Sequence, residues 1–70
     1  MPLTMASAGQ EMQIKKIGGK DETRRFLENL GFVIGGWITI VSEMNGNLIV
    51  KVKDSRVAIS KEMANKIMVW

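Results

Sequence analysis

The sequence contains no histidine, no cysteine and no tyrosine, and a single proline. Each absence closes off a class of function. Without histidine and cysteine the chain lacks the commonest general base and the strongest nucleophile, so an enzyme is not expected and no catalytic residue is assigned. The same two gaps remove imidazole and thiolate ligands, and no cofactor or resident metal is expected. No disulfide or thiolate zinc site can reinforce the fold. The lack of cysteine also fits a reducing compartment. No run approaches the roughly 18 consecutive apolar residues of a membrane span. Met1 to Gly9 carries neither a basic start nor a long apolar block, so it does not read as a secretory signal. A cytoplasmic protein is the expectation.

What is present suits a small packed domain. Seventy residues with 46% hydrophobic content make one domain, residues 1–70. At this size a chain buries only about 60% of the surface it exposes when unfolded, so packing must be efficient. Ten basic against seven acidic residues leave a formal charge of +3. The two signs are interspersed, as on a solvated surface that keeps a small protein soluble. No phosphate-binding glycine loop occurs, and Gly18-Gly19 and Gly35-Gly36 read as turn glycines. The methionines, among them Met12, Met44, Met63 and Met68, share no close motif and read as core or rim filler.

Along the chain, Pro2 to Gly9 suggests a short turn or single helical turn, with Leu3 and either Met5 or Ala6 facing inward. Met12 and Ile14 alternate with Gln13 and Lys15, the period of a half-buried strand. Ile17 breaks that parity and predicts a bulge or strand end near Lys16. Asp21 to Leu30 is the one convincing helix, with Asp21 as its N-cap. Its apolar face carries Phe26, Leu27 and Leu30, with Thr23 at the margin, and Gly31 sits where a left-handed residue ends helices. Trp37 to Glu43 reads as a β-branched strand, followed by the hairpin signal Asn45-Gly46. Leu48, Val50 and Val52 then face one way and Lys51 and Lys53 the other. Asp54-Ser55 turns the chain into a short strand, Val57 to Ile59. Ser60 caps a helical turn over Lys61 to Asn65, and Ile67 to Trp70 forms a last strand pairing near the first. The expected architecture is mainly β: a small five-stranded barrel with one helix after the first strand and a helical turn before the last.

The segment TRRFLENLGFVIGGWITIV, residues 23–41, resembles the signature of the FeoA family. That signature is a basic helix ending in leucine-glycine, then a hydrophobic residue, a further glycine and a β-branched strand. Leu27, Leu30, Gly31, Phe32, Gly35, Ile38 and Ile40 match it. Leu3 and Gly9 fit the family's opening, and Ile14 and Ile17 its first strand. Val57-Ala58-Ile59-Ser60 is similar to its strand and cap, and Ala64, Ile67 and Val69 fit its ending. Two residues depart from the pattern: Ile34 stands where proline is common, and Trp37 is bulkier than usual. The resemblance implies an SH3-like barrel acting as a cytosolic accessory of bacterial ferrous-iron uptake, binding or activating the GTPase-permease FeoB. Its link to iron would then run through that partner. The module also occurs behind the DNA-binding helices of metal-dependent repressors; none precede it here, so that role is set aside.

Leu27, Leu30, Gly31 and Gly35 are expected to be structural: Gly31 ends the helix sharply and Gly35 turns the chain into the second strand. For partner binding the candidates are Phe32, Ile34, Trp37, Arg24 and Arg25. Trp37 and Trp70 read either as lids over the barrel ends or, for Trp37, as part of an exposed patch with Phe32, Ile34 and Ile49, because many apolar residues compete for a small core. Arg24 and Arg25 read first as a solvated helix face with an Arg24–Glu28 pair, and second as a basic patch with Lys16 and Lys20. The alternative function is a nucleic-acid-binding small barrel. Two Phe, two Trp and no Tyr supply few stacking platforms for it.

Overall fold

The computed structural model describes residues 1–69. A 3-10 turn, Leu3–Met5, precedes strand β1, Glu11–Ile17, and helix α1, Asp21–Asn29. Strands β2, Trp37–Met44, β3, Asn47–Val52, and β4, Ser55–Ser60, follow as a meander. A short helix α2, Lys61–Ala64, leads into β5, Ile67–Val69. The strands form one antiparallel sheet in the order β4-β3-β2-β1-β5. This is the expected five-stranded, mainly β architecture. The barrel does not close: among the described residues its edge strands β4 and β5 do not pair. Helix α2 lies against β4 and β3, the 3-10 turn against α2 and β5, and together they fill the gap. The Thr4 hydroxyl donates to Asn65 Oδ1 at 3.0 Å across that join. The expected strand partner of β5 is indeed β1, although Trp70 lies outside the described residues.

Local chemistry explains most element boundaries. The β1 register shifts between Ile14 and Lys16, so Ile17 returns to the core side despite its odd spacing. Asn45 and Gly46 both have positive φ (52° and 80°), the requirement of a two-residue turn whose twist matches the strands it joins. The following turn is centred one residue earlier than expected, on Lys53-Asp54, because Val52 pairs with Ser55. Ser60 caps α2 by accepting the Met63 amide at 3.1 Å. Removing that acceptor with Ser60→Ala should lower stability by about 1 kcal/mol in urea unfolding. A loss below about 0.3 kcal/mol would mean water replaces the hydroxyl without cost.

Helix α1 departs from the sequence expectation at its start. Lys20, not Asp21, is the N-cap, and it makes no side-chain capping bond; Asp21 is already helical. Its carboxylate, with that of Glu22, instead sits in the first turn, where it complements the helix dipole. At the other end Gly31 has φ +107°. Its amide donates to the Glu28 carbonyl at 2.9 Å, and the Phe32 amide donates to the Leu27 carbonyl at 3.0 Å. That pair of bonds defines a Schellman ending, which is normally accompanied by an apolar contact between the residues at its two ends. Leu27 and Phe32 are those residues, and both belong to the core cluster.

This ending overturns two expectations about aromatic residues. Phe32 was expected at the surface and is fully buried (0% exposed), whereas Phe26 was expected in the core and is 51% exposed. Successive helical residues are rotated by about 100°, so Phe26 and Leu27 cannot both point at the sheet. Leu27 does, flanked by half-buried Thr23 and Leu30, and Phe26 falls at the margin. The rest of the core is aliphatic, with Ile14, Ile38, Ile40, Leu48, Val50, Val52, Ile59, Ile67 and Val69 lining the sheet's inner face. Among the described residues no polar or charged residue is buried within it.

Candidate functional site: an apolar turn beside a cationic strand face

The turn joining α1 to β2 places apolar side chains in solvent and holds them there. The Gly36 amide donates to the Val33 carbonyl at 3.0 Å, and Gly35 has φ +88°. Positive φ at the third residue of such a four-residue turn is the type II signature, and glycine meets it without strain. Ile34 occupies the second position, where proline is favoured, and is 68% exposed. Three further hydrogen bonds tie the turn to β1. The Gly35 amide donates to the Ile14 carbonyl at 2.7 Å and the Ile14 amide to the Gly36 carbonyl at 2.8 Å. Gln13 Nε2 donates to the Gly35 carbonyl at 3.0 Å. The apolar tip is therefore anchored to the sheet, although a residue without proline's rigidity stands at its corner.

Trp37 begins β2 directly after the turn and is 56% exposed. It stands opposite Gln13 on the outer face of the sheet. Val33, Trp37, Lys51 and Lys53 share the walls of an open groove of about 340 Å³, with Glu11 and Thr39 also lining it. A second groove on the other side of Val33 is lined by Ile34, Ile17, Arg24 and Glu28. Val33, Ile34 and Trp37 thus form a continuous apolar ridge between two grooves.

Of the expected partner residues, Ile34, Trp37 and Arg24 border this ridge, and Phe32 does not, being buried beneath it. Arg25 lies apart, beside the exposed Phe26 on the outer side of α1. Arg24 pairs with Asp21 at 3.8 Å rather than with Glu28, so the expected ion pair forms one turn toward the helix start. Ile49 is half-buried. Leu27 is buried, Leu30 is half-buried, and Gly31 and Gly35 both have positive φ. Sequence reasoning missed Val33, Lys51 and Lys53 as site residues. Val33 was legible as one more apolar residue between two turn glycines. The lysines become neighbours of Trp37 only through strand pairing.

Among the described residues no three carboxylates gather in a group that could hold an ion. Anaerobic calorimetric titration of the isolated chain with ferrous iron should give binding no tighter than about millimolar, the range of scattered carboxylates. A micromolar dissociation constant would refute that expectation.

Comparisons with known proteins agree with the fold and with the signature residues. A relative from Methanocaldococcus jannaschii, carrying the name of an Fe(2+) transport protein A, is 35% identical over 68 residues, covering 97% of this chain and 83% of its own. The crystal structure of an iron uptake regulatory protein, FeoA, superposes with a TM-score of 0.90 at 30% identity, covering 99% of this chain and 92% of that one. A Stenotrophomonas maltophilia FeoA complexed with zinc, described as a procaryotic SH3 domain protein, superposes with a TM-score of 0.80 over 99% of this chain and 88% of that one. At 24% identity that last likeness speaks to the fold alone, which is SH3-like. FeoA proteins are transport accessories rather than enzymes, in keeping with a chain that lacks the usual catalytic side chains. The family's sequence model, described as the FeoA domain, matches residues 1–70, and the chain belongs to the FeoA family.

Proposed function

We propose that this chain is a single-domain, cytoplasmic accessory of ferrous-iron uptake that binds the cytosolic part of a FeoB-like GTPase-permease through the ridge of Val33, Ile34 and Trp37. The observation that carries this reading is the exposure of Ile34, on a turn pinned to β1 by hydrogen bonds, and of Trp37 directly after it. Apolar side chains held in solvent by a rigid scaffold gain affinity because little ordering entropy is lost on docking. Tryptophan is among the residues most enriched at the energetic centres of interfaces. Membership of a ferrous-iron transport family supports the choice of partner. No helix among the described residues is long and apolar enough to cross a membrane.

Trp37→Ala should leave the fold intact, since the side chain contributes little to the core, and should weaken binding to the transporter's cytosolic portion by about 1–2 kcal/mol or more. Calorimetry of mutant and parent, with circular dichroism as a check on folding, measures both. Unchanged affinity in a folded mutant would move the interface elsewhere, and an unfolded mutant would make Trp37 a structural lid.

A further inference from the structure

The outer face of the sheet beside Trp37 carries cations that the fold does not neutralise. Strand pairing sets Glu11, Thr39, Lys51 and Arg56 in one row across β1, β2, β3 and β4. Lys51 and Arg56 are thus directly opposite one another and both exposed, a like-charge pair that costs the sheet stability. Lys53 adds a third charge from the adjoining turn. It holds φ +54°, a conformation uncommon for residues with a side chain, and lines the groove shared by Trp37 and Lys51. Among the described residues none of Lys51, Lys53 and Arg56 forms an ion pair. Two carboxylates lie near. Glu11 is two strand spacings from Lys51, about 10 Å and so about a Debye length in physiological salt. Asp54, beside Lys53 in the turn, is exposed and joins no ion pair among the described residues.

Unpaired cations beside an exposed tryptophan are complementary to a chain that carries carboxylates and one apolar side chain. We propose that the partner element recognised here is an extended acidic peptide segment, its carboxylates on Lys51, Lys53 and Arg56 and an apolar residue against Trp37 and Val33. This inference rests on the partner reading above and specifies the chemistry of what docks. A nucleic-acid strand fits the face less well. Among the described residues the face offers one aromatic platform, Trp37, where strand binders use several.

The test uses the whole chain and two blocked pentapeptides, Glu-Asp-Leu-Asp-Glu and its uncharged counterpart Gln-Asn-Leu-Asn-Gln. By NMR titration the acidic peptide should shift the Trp37 indole and the Lys51 and Arg56 amides, and bind at least about tenfold more tightly than the neutral one, with the difference collapsing in high salt. Arg56→Glu should separate binding from folding. It turns a like-charge pair into an attractive one, so the urea midpoint should rise while peptide affinity falls by about tenfold or more. Lys51→Gln should also weaken binding, as a check that does not reverse charge. Equal binding of the two peptides, or undiminished affinity in Arg56→Glu, overturns the proposal. So does tighter binding of oligothymidylate or of phosphatidylserine vesicles than of the acidic peptide. If the transporter's cytosolic portion binds in a manner sensitive to Trp37→Ala but not to Arg56→Glu or salt, the acidic-segment inference fails and the partner reading stands. If the peptide binds as expected and the transporter portion does not, the reverse holds.

Discussion

Phe32→Ala is expected to cost about 3–5 kcal/mol, at the upper end of core truncations. The ring is fully buried and is the largest fully buried side chain among the described residues. It also supplies the apolar half of the helix ending, so its loss opens a cavity where α1, the turn and the sheet meet. A domain of this size has a total stability of about 5 kcal/mol, at the low end of the usual range. The variant should therefore be largely unfolded or unfold at very low urea, read by circular dichroism and by the collapse of NMR dispersion. Phe26→Ala is the matched control: with the ring half in solvent, its cost should stay below about 1 kcal/mol. If the two variants prove equally destabilising, the assignment of inside and outside at the end of α1 is wrong.

Leu27→Ala should cost about 2–5 kcal/mol and act first on the helix. Leu27 is the one fully buried residue of α1, with Thr23 and Leu30 only half-buried beside it. Nine residues are too few for a helix to persist alone in water, so α1 depends on docking. With Leu27 truncated, amide exchange in 21–29 should accelerate more than in β2 and β3, as local opening of the helix falls toward zero cost. Uniform acceleration across helix and sheet would instead show that α1 and the sheet open as one cooperative unit. Gly31 and the turn after it depend on the same contact, so the Val33–Trp37 ridge should loosen too.

Much of this architecture was legible because local rules and the global fold agree. Alternation marked β1 and β3, Asn45-Gly46 marked the hairpin, Ser60 marked the start of α2, and Gly31 marked the end of α1. The same reasoning could have gone further in β2. The Met44–Asn47 pair at the hairpin, continued without interruption, would set Thr39 against Val52 and so join an outward residue to an inward one. Since Ile38 and Ile40 must face the same core as Val50 and Val52, one extra residue has to be accommodated. The structure does so between Ile40 and Ser42, leaving Thr39 opposite Lys51. That half of the cationic row was thus implicit in the pattern, although the position of the bulge was not.

By itself the sequence determined the element types, the turn chemistry, the family signature and the absence of the usual catalytic and metal-binding groups. These depend on residue identity and on neighbours within a few positions. Tertiary structure alone decided which of two phenylalanines is buried, because a short amphipathic helix leaves its rotation open to within a residue. Docking against the sheet settled that choice in favour of Leu27 and Phe32. It also decided that Trp37 stands next to Lys51 and Lys53. The sheet edges stay open because α2 and the N-terminal turn, rather than a strand, fill the space between β4 and β5. Each of these outcomes depends on contacts between residues distant in sequence, whose energies no local pattern encodes.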